Sequence, residues 1–139
     1  MAIKYHPPRG TIVTANFDQG FRTPEMVKRR LCVVISPPID ERVGLCTVVP
    51  LSKTGPDPVM DYHYEFKIPF QMPPYWGNSA RWAKCDMVCA VGFHRLDLLR
   101  LGKDRDGVRQ YQLNTLSSIH LDNISNGVLA SLGLPSLTP

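Results

Sequence analysis

With 139 residues, 43% apolar and 20% charged, the chain has one domain's worth of material, enough for a real core and ordinary for a soluble globular protein. Thirteen prolines argue against a helical bundle and for short strands between rigid loops, and no apolar run approaches the ~20 residues that a membrane span needs. The formal net charge of +4 suits a polyanionic partner. There is no internal repeat and no low-complexity tract. Met1 to Pro7 lacks the apolar core of a signal peptide, so a cytoplasmic protein is expected.

After the entry Pro7-Pro8-Arg9-Gly10, Thr11 to Phe17 alternates as a first strand. Asp18 to Val27, with Gly20, Pro24 and mixed charge, is expected to be a loop passing over one face. Then Lys28-Arg29-Arg30 runs directly into Leu31-Cys32-Val33-Val34-Ile35-Ser36, an apolar run stopped by Pro37-Pro38 that predicts a strand buried on both faces. The cations sit at its mouth. There they either recognise an anion, since a guanidinium fork matches phosphate or carboxylate oxygens, or serve as solvated guards of an aggregation-prone strand. Gly44 to Ser52 is a second such run, ending at Ser52 and Lys53 after a loop of roughly seven residues, a length that favours neighbouring antiparallel strands. Arg30 and Ser52 are therefore expected close in space.

Thr54 to Pro58 is a loop, and Tyr62 to Ile68 alternates with Tyr62, Tyr64 and Phe66 on one side, a half-buried strand. Pro69 to Ala83, with Tyr75, Trp76 and Trp82, is either a packed loop or an exposed platform on which bases stack. Lys84 to Phe93 is expected as one core strand. His94 to Leu101 and Val108 to Leu113 flank a charged hairpin loop, Gly102 to Gly107. Leu121, Ile124, Val128, Leu129 and Leu132 make the apolar stripe of a closing helix, with Ser117 or Ser118 as cap and Gly133 and Pro135 at its end. Many short strands and one late helix predict a mainly β, mostly antiparallel small barrel. Cys32, Cys46, Cys85 and Cys89 read as reduced structural thiols, and the histidines at 6, 63, 94 and 120 offer no zinc set among sequence neighbours.

Arg9-Gly10-x-Ile12-Val13 with Phe17, then Glu25, Arg30 with Val33-Val34-Ile35-Ser36, and Val49-Pro50-Leu51-Ser52 resemble the PemK/MazF family of type II toxin-antitoxin toxins. The resemblance continues at Lys84-Cys85-Asp86, Arg95-Leu96 and the closing helix. It implies one toxin domain over residues 1–139, a strongly bent SH3-like (CcdB-like) barrel with a terminal helix, and a homodimer silenced by a cognate antitoxin. The activity it implies is metal-independent, cofactor-free endoribonuclease action on single-stranded RNA, leaving a 2′,3′-cyclic phosphate.

Such cleavage needs a base for the 2′-hydroxyl, an acid for the leaving 5′ oxygen and donors for the charge on the transition state. By resemblance, Asp86 is the base, Arg30 and Lys84 the acid and phosphate clamp, and Ser52 a hydrogen-bond donor. Lys28, Arg29 and Lys53 are candidate RNA-binding cations, with Trp76 and Trp82 as stacking groups. Each has a plainer role: Asp86 in an ion pair, Ser52 opening a turn, and His63 and His94 as structural histidines rather than alternative bases. The chain departs from the family pattern where Leu31 replaces a proline, Ser52 a threonine, Lys84 an arginine and Pro24 a histidine, and where Met87 to Ala90 lacks a Gln-x-Arg-like continuation. Two other functions compete: a non-catalytic barrel that binds a protein or nucleic acid, and a gyrase-poison-like toxin acting through its terminal helix.

Overall fold

Residues 2–137 are described in a computed structural model. β1 (Ile12–Asn16) lies between β2 (Arg29–Val34) and β7 (Leu96–Leu98), and β2 pairs with β3 (Leu45–Ser52). β3 pairs in turn with β5 (Arg81–Lys84), which carries β4 (His63–Phe66) at the outer edge. Every pairing is antiparallel. The architecture is thus the expected antiparallel sheet with one late helix. Its hydrogen-bonded order runs from β4 to β7 without closing on itself among the described residues.

The apolar run in β2 is buried as its composition predicts, with Leu31, Cys32, Val33 and Val34 each at most 1% exposed. Alternation divides it between two cores. Leu31 and Val33 pack with Val49, Leu51, Leu121 and Ile124, while Cys32 and Val34 pack with Val13, Ala15, Phe17 and Val48. The Asp18 to Val27 loop covers the second core through Phe21 and Met26. Arg95 holds that loop, donating to the carbonyls of Asn16 and Gln19 at 3.1 and 2.8 Å and lying 4.8 Å above the Phe21 ring.

The expected strand from Lys84 to Phe93 is broken in two. β5 stops at Lys84, a 3-10 turn spans Cys85–Met87, and β6 (Cys89–Gly92) pairs with the first half of β3. Leu51 opposes Ala83 and Val48 opposes Cys89, so three steps of β3 face six steps of the β5–β6 segment. The surplus bulges out opposite Val49 and Pro50, where proline has no N–H for the ladder. A second 3-10 turn at Phe93–Arg95 leads into β7.

The charged hairpin forms as a separate two-stranded sheet of β8 (Arg100–Lys103) and β9 (Arg109–Tyr111). Its turn starts two residues later than expected because Asp104 organises it: Oδ1 accepts from the backbone N–H groups of Asp106 and Val108.

The closing helix α1 (Ser118–Ser131) buries Leu121, Ile124 and Gly127, with Val128 packed alongside. Ser117 occupies the N-cap position without a side-chain cap bond. Leu132, expected in the stripe, is 63% exposed because the helix has already ended. Gly133, at φ +73°, donates to the Ala130 carbonyl and Leu134 to that of Leu129, the paired bonds of a glycine-terminated helix.

All four cysteines are free. Burial pushes the Cys85 thiol from 9.0 up to about 12, with the Asp86 carboxylate adding to the effect, and the Cys46 thiol to about 11. The folded chain therefore holds these protons more tightly than the unfolded one. The stability this contributes is full below pH 9.0 and is lost as pH rises toward the folded values. Denaturant midpoints should fall between pH 9 and 11, and fall less steeply in Cys85→Ala.

Candidate functional site

The mouth of β2 is held by backbone geometry. Lys28 sits just outside it at φ +69°, a left-handed conformation that costs a non-glycine residue about 1–2 kcal/mol, and its carbonyl accepts from Phe17 N–H at 2.8 Å. Its side chain is exposed and does not line the cleft that follows. Arg30 comes next but one, with Nε donating to the Val27 carbonyl at 3.0 Å. Its two Nη groups make no hydrogen bond among the described residues.

Leu31 opposes Leu51, so one step outward Arg30 and Ser52 lie side by side, as expected from the antiparallel pairing. They line a cleft of about 280 Å³ together with Lys53, Trp76 and Arg81, and Arg29 forms one lip. The Ser52 side chain is nearly buried and also opens the following turn, its Oγ accepting from Thr54 N–H at 3.2 Å and donating to the Thr54 carbonyl at 3.3 Å. Both distances are long for such bonds, so this hydroxyl is held loosely.

Arg29 points the other way from Arg30, as strand alternation requires. Nη2 donates to Thr14 Oγ1 at 3.3 Å and pairs with Asp97 at 3.5 Å, while the side chain stays 56% exposed. Arg81 was not anticipated among the site residues. It is 3% exposed, donates through Nη2 to the Trp76 carbonyl, and has its pKa lowered by burial. One signal for it exists in sequence: Arg81 and Ala83 are two apart on β5 and share one face, and Ala83 is a core residue.

Lys84 and Asp86 are not brought into this cleft. The expectation that they project together from one strand fails, because the strand ends at Lys84 and Asp86 lies in the 3-10 turn. Lys84 opposes His63 on β4, on the face of the sheet that also carries Trp82, Ser52 and Arg30. His63 Nδ1 accepts from Met60 N–H at 3.0 Å, which leaves the ring proton of the neutral form on Nε2, 4.0 Å from Asp86 Oδ1. Asp86 also lines a depression of about 240 Å³ with Glu25, Met26 and Cys89. Burial, then the neighbouring Cys89, raises the Cys32 thiol, and the Arg30 guanidinium two residues away opposes that rise.

The aromatic loop is both packed and exposed. Trp76 rests against the first core, while Tyr75 is 85% exposed, with the two rings edge-to-face at 5.0 Å. Trp82 opposes Ser52 on β5 and packs under Gly55 without lining the cleft. His94 is exposed on the second 3-10 turn and does not line the cleft. None of the helices among the described residues is long and apolar enough to cross a membrane.

The fold is shared with known proteins. The chain superposes on MazF (form I) from Deinococcus radiodurans with a TM-score of 0.61 at 18% identity, over 94% of this chain and 99% of that one. It superposes on an endoribonuclease from a mycobacterial species, solved in complex with its cognate antitoxin, with a TM-score of 0.58 at 15% identity, over 94% and 98%. In sequence it is 30% identical over 118 residues to the uncharacterized protein YifN of Escherichia coli (strain K12), covering 72% of this chain and 78% of that protein. Residues 8–130 match the family described as the PemK-like, MazF-like toxin of type II toxin-antitoxin systems. With most of its length so matched, the chain belongs to the PemK/MazF-like toxin family.

Proposed function

We propose that the chain, acting as one domain over residues 1–139, is a toxin that cuts single-stranded RNA without a metal and is silenced by a cognate antitoxin. The observation that carries this is Arg30, tethered through Nε with both Nη groups uncommitted, beside the weakly held hydroxyl of Ser52. A guanidinium so held suits the two non-bridging oxygens of a scissile phosphate, and the hydroxyl supplies a further donor. Asp86, steadied by His63, takes the proton from the 2′-hydroxyl as its oxygen bonds to phosphorus. The bond from phosphorus to the 5′ oxygen breaks, and Lys84 gives that oxygen a proton. The product strand ends in a 2′,3′-cyclic phosphate.

Lys28, Arg29 and Lys53 steer the backbone of the RNA, and Trp76 and Trp82 serve its bases. Family membership and the antitoxin bound to one structural neighbour support an antitoxin partner. A homodimer working in the cytoplasm, with the sheet bent into an SH3-like barrel, completes the proposal. A second reading draws on two features, Asp86 lying outside the cleft and Ser52 opening a turn: a barrel that binds nucleic acid or a protein without cutting.

The experiment is cleavage of mixed-sequence single-stranded RNA in chelator by the purified chain and by Asp86→Asn. Wild type should generate cyclic-phosphate ends, and the variant should be slower by about 10²–10⁴-fold, the span for a positioned base. Intact RNA after incubation with folded, antitoxin-free wild type would move the assignment to the non-cutting barrel.

A further inference from the structure

The cleft does not end at Trp76. Arg29, Tyr75 and Trp76 also wall a second depression of about 330 Å³ that continues to Leu98 and Arg100. Leu98 in turn borders a third, of about 390 Å³, reaching Tyr111, Leu113 and Tyr5. Through these shared residues the three depressions follow one another from Ser52 to the β8–β9 hairpin, a trench interrupted at Leu98.

Two hairpin residues, Arg100 and Tyr111, line these depressions, and the face of the ribbon that they share carries further cations. Arg100 opposes Tyr111 and Lys103 opposes Arg109, with a one-residue irregularity after Arg100. Arg109 and Tyr111 are two apart on a strand, so these four residues share one side of the ribbon. Like charges directly opposite are destabilising, and a lone two-stranded ribbon has little stability to lose. Among the described residues no carboxylate pairs with Arg100, Lys103 or Arg109. Asp104, beside Lys103, commits one oxygen to the turn and the other to Gln110 at 3.2 Å. Three uncompensated cations around an aromatic ring are what the phosphates and a base of a flexible strand satisfy, and Tyr75 repeats that arrangement between Arg29 and Arg100.

We propose that single-stranded RNA held in the Arg30–Ser52 cleft continues along this trench onto the hairpin, where Tyr111 stacks a base and Arg100, Lys103 and Arg109 hold phosphates. This rests on the RNA-cleaving proposal and adds to it a grip on the strand beyond the cut. The trench sets how much RNA beside the cut is gripped. Arg29 exchanges its Asp97 partner for a phosphate as the strand passes.

The test uses full-length protein and labelled 2′-O-methyl oligonucleotides, which bind but cannot be cut, of three and of ten nucleotides. Tyr111→Ala should weaken ten-nucleotide binding about tenfold, the scale of one stacked base, while Tyr111→Phe stays close to wild type. Lys103→Gln with Arg109→Gln should flatten the slope of log affinity against log salt by about 1.4, from roughly 0.7 per phosphate contact. Trinucleotide binding should change less than about twofold, since one stacked base lies beyond its reach. Equal losses for both lengths, or losses for neither, would overturn the proposal. Unchanged RNA binding with altered sedimentation would do so too, and would make the face an interface between copies. Cleavage is scored separately: hairpin-dependent binding by a wild type that cuts no RNA removes the ribonuclease and keeps the trench. Cutting that ignores the hairpin does the reverse.

Discussion

Arg30→Ala should slow cleavage of single-stranded RNA by about 10²–10³-fold, the usual cost of removing one preorganised donor to a developing charge. The side chain is tethered at Nε by Val27, so its fork is already aimed when substrate arrives. Arg30→Lys keeps the charge and loses both the fork and the tether, so it should fall between wild type and alanine. Single-turnover rates at saturating RNA read this directly. The alanine chain should remain folded, because the lost bond to a backbone carbonyl is worth about 1 kcal/mol. A folded Arg30→Ala that cuts at the wild-type rate would remove Arg30 from the site and leave Arg81 or Lys84 to carry the phosphate.

Gly127→Ala should destabilise the fold by about 1–2 kcal/mol, although alanine is the better helix former by about 1 kcal/mol. A Cβ there would meet Cys85 Sγ at 2.6 Å, Cys85 Cβ at 3.0 Å and the Tyr62 carbonyl at 3.0 Å. Neither the short cysteine side chain nor a carbonyl can swing aside, so helix α1 would have to lift from the turn that carries Asp86. Cys85→Ala removes only the sulfur contact. Denaturant titrations of both single variants and the double should therefore show a positive coupling, with Gly127→Ala costing less in the Cys85→Ala background. Additive effects would mean that the helix accommodates a Cβ without touching Cys85.

Most of the fold was legible because its strongest signals are local. The unbroken apolar run after Arg30 and the alternation at Tyr62, Tyr64 and Phe66 predict strands that form, and Gly133 predicts a helix end that forms. The break after Lys84 was not legible. Whether Cys85 to Met87 continues a strand depends on what β3 can pair with, and Pro50, distant in sequence, offers no N–H there. The same hidden dependence split the site. Arg30 and Ser52 sit at strand ends whose register follows from one short loop, so their proximity could be foreseen. Asp86 needed the unforeseen turn, and Arg81 needed knowledge of which face of β5 is covered. Leu132 shows a related limit, since periodicity continues past the point where a glycine has stopped the helix.

The surplus of three residues opposite Val49 and Pro50 has an evolutionary reading. β5 is registered against β3 at Leu51 and Ser52, and β6 at Leu45 to Val48, by separate ladders. The short turn between them bears on neither ladder; Cys85 is fixed by its packing under Gly127, but Asp86 and Met87 can be exchanged while Arg30 and Ser52 stay put. A lineage can thus re-aim its acidic group, or discard it, without disturbing the cationic half of the cleft. Substrate grip and chemistry are then free to drift at different speeds in this architecture.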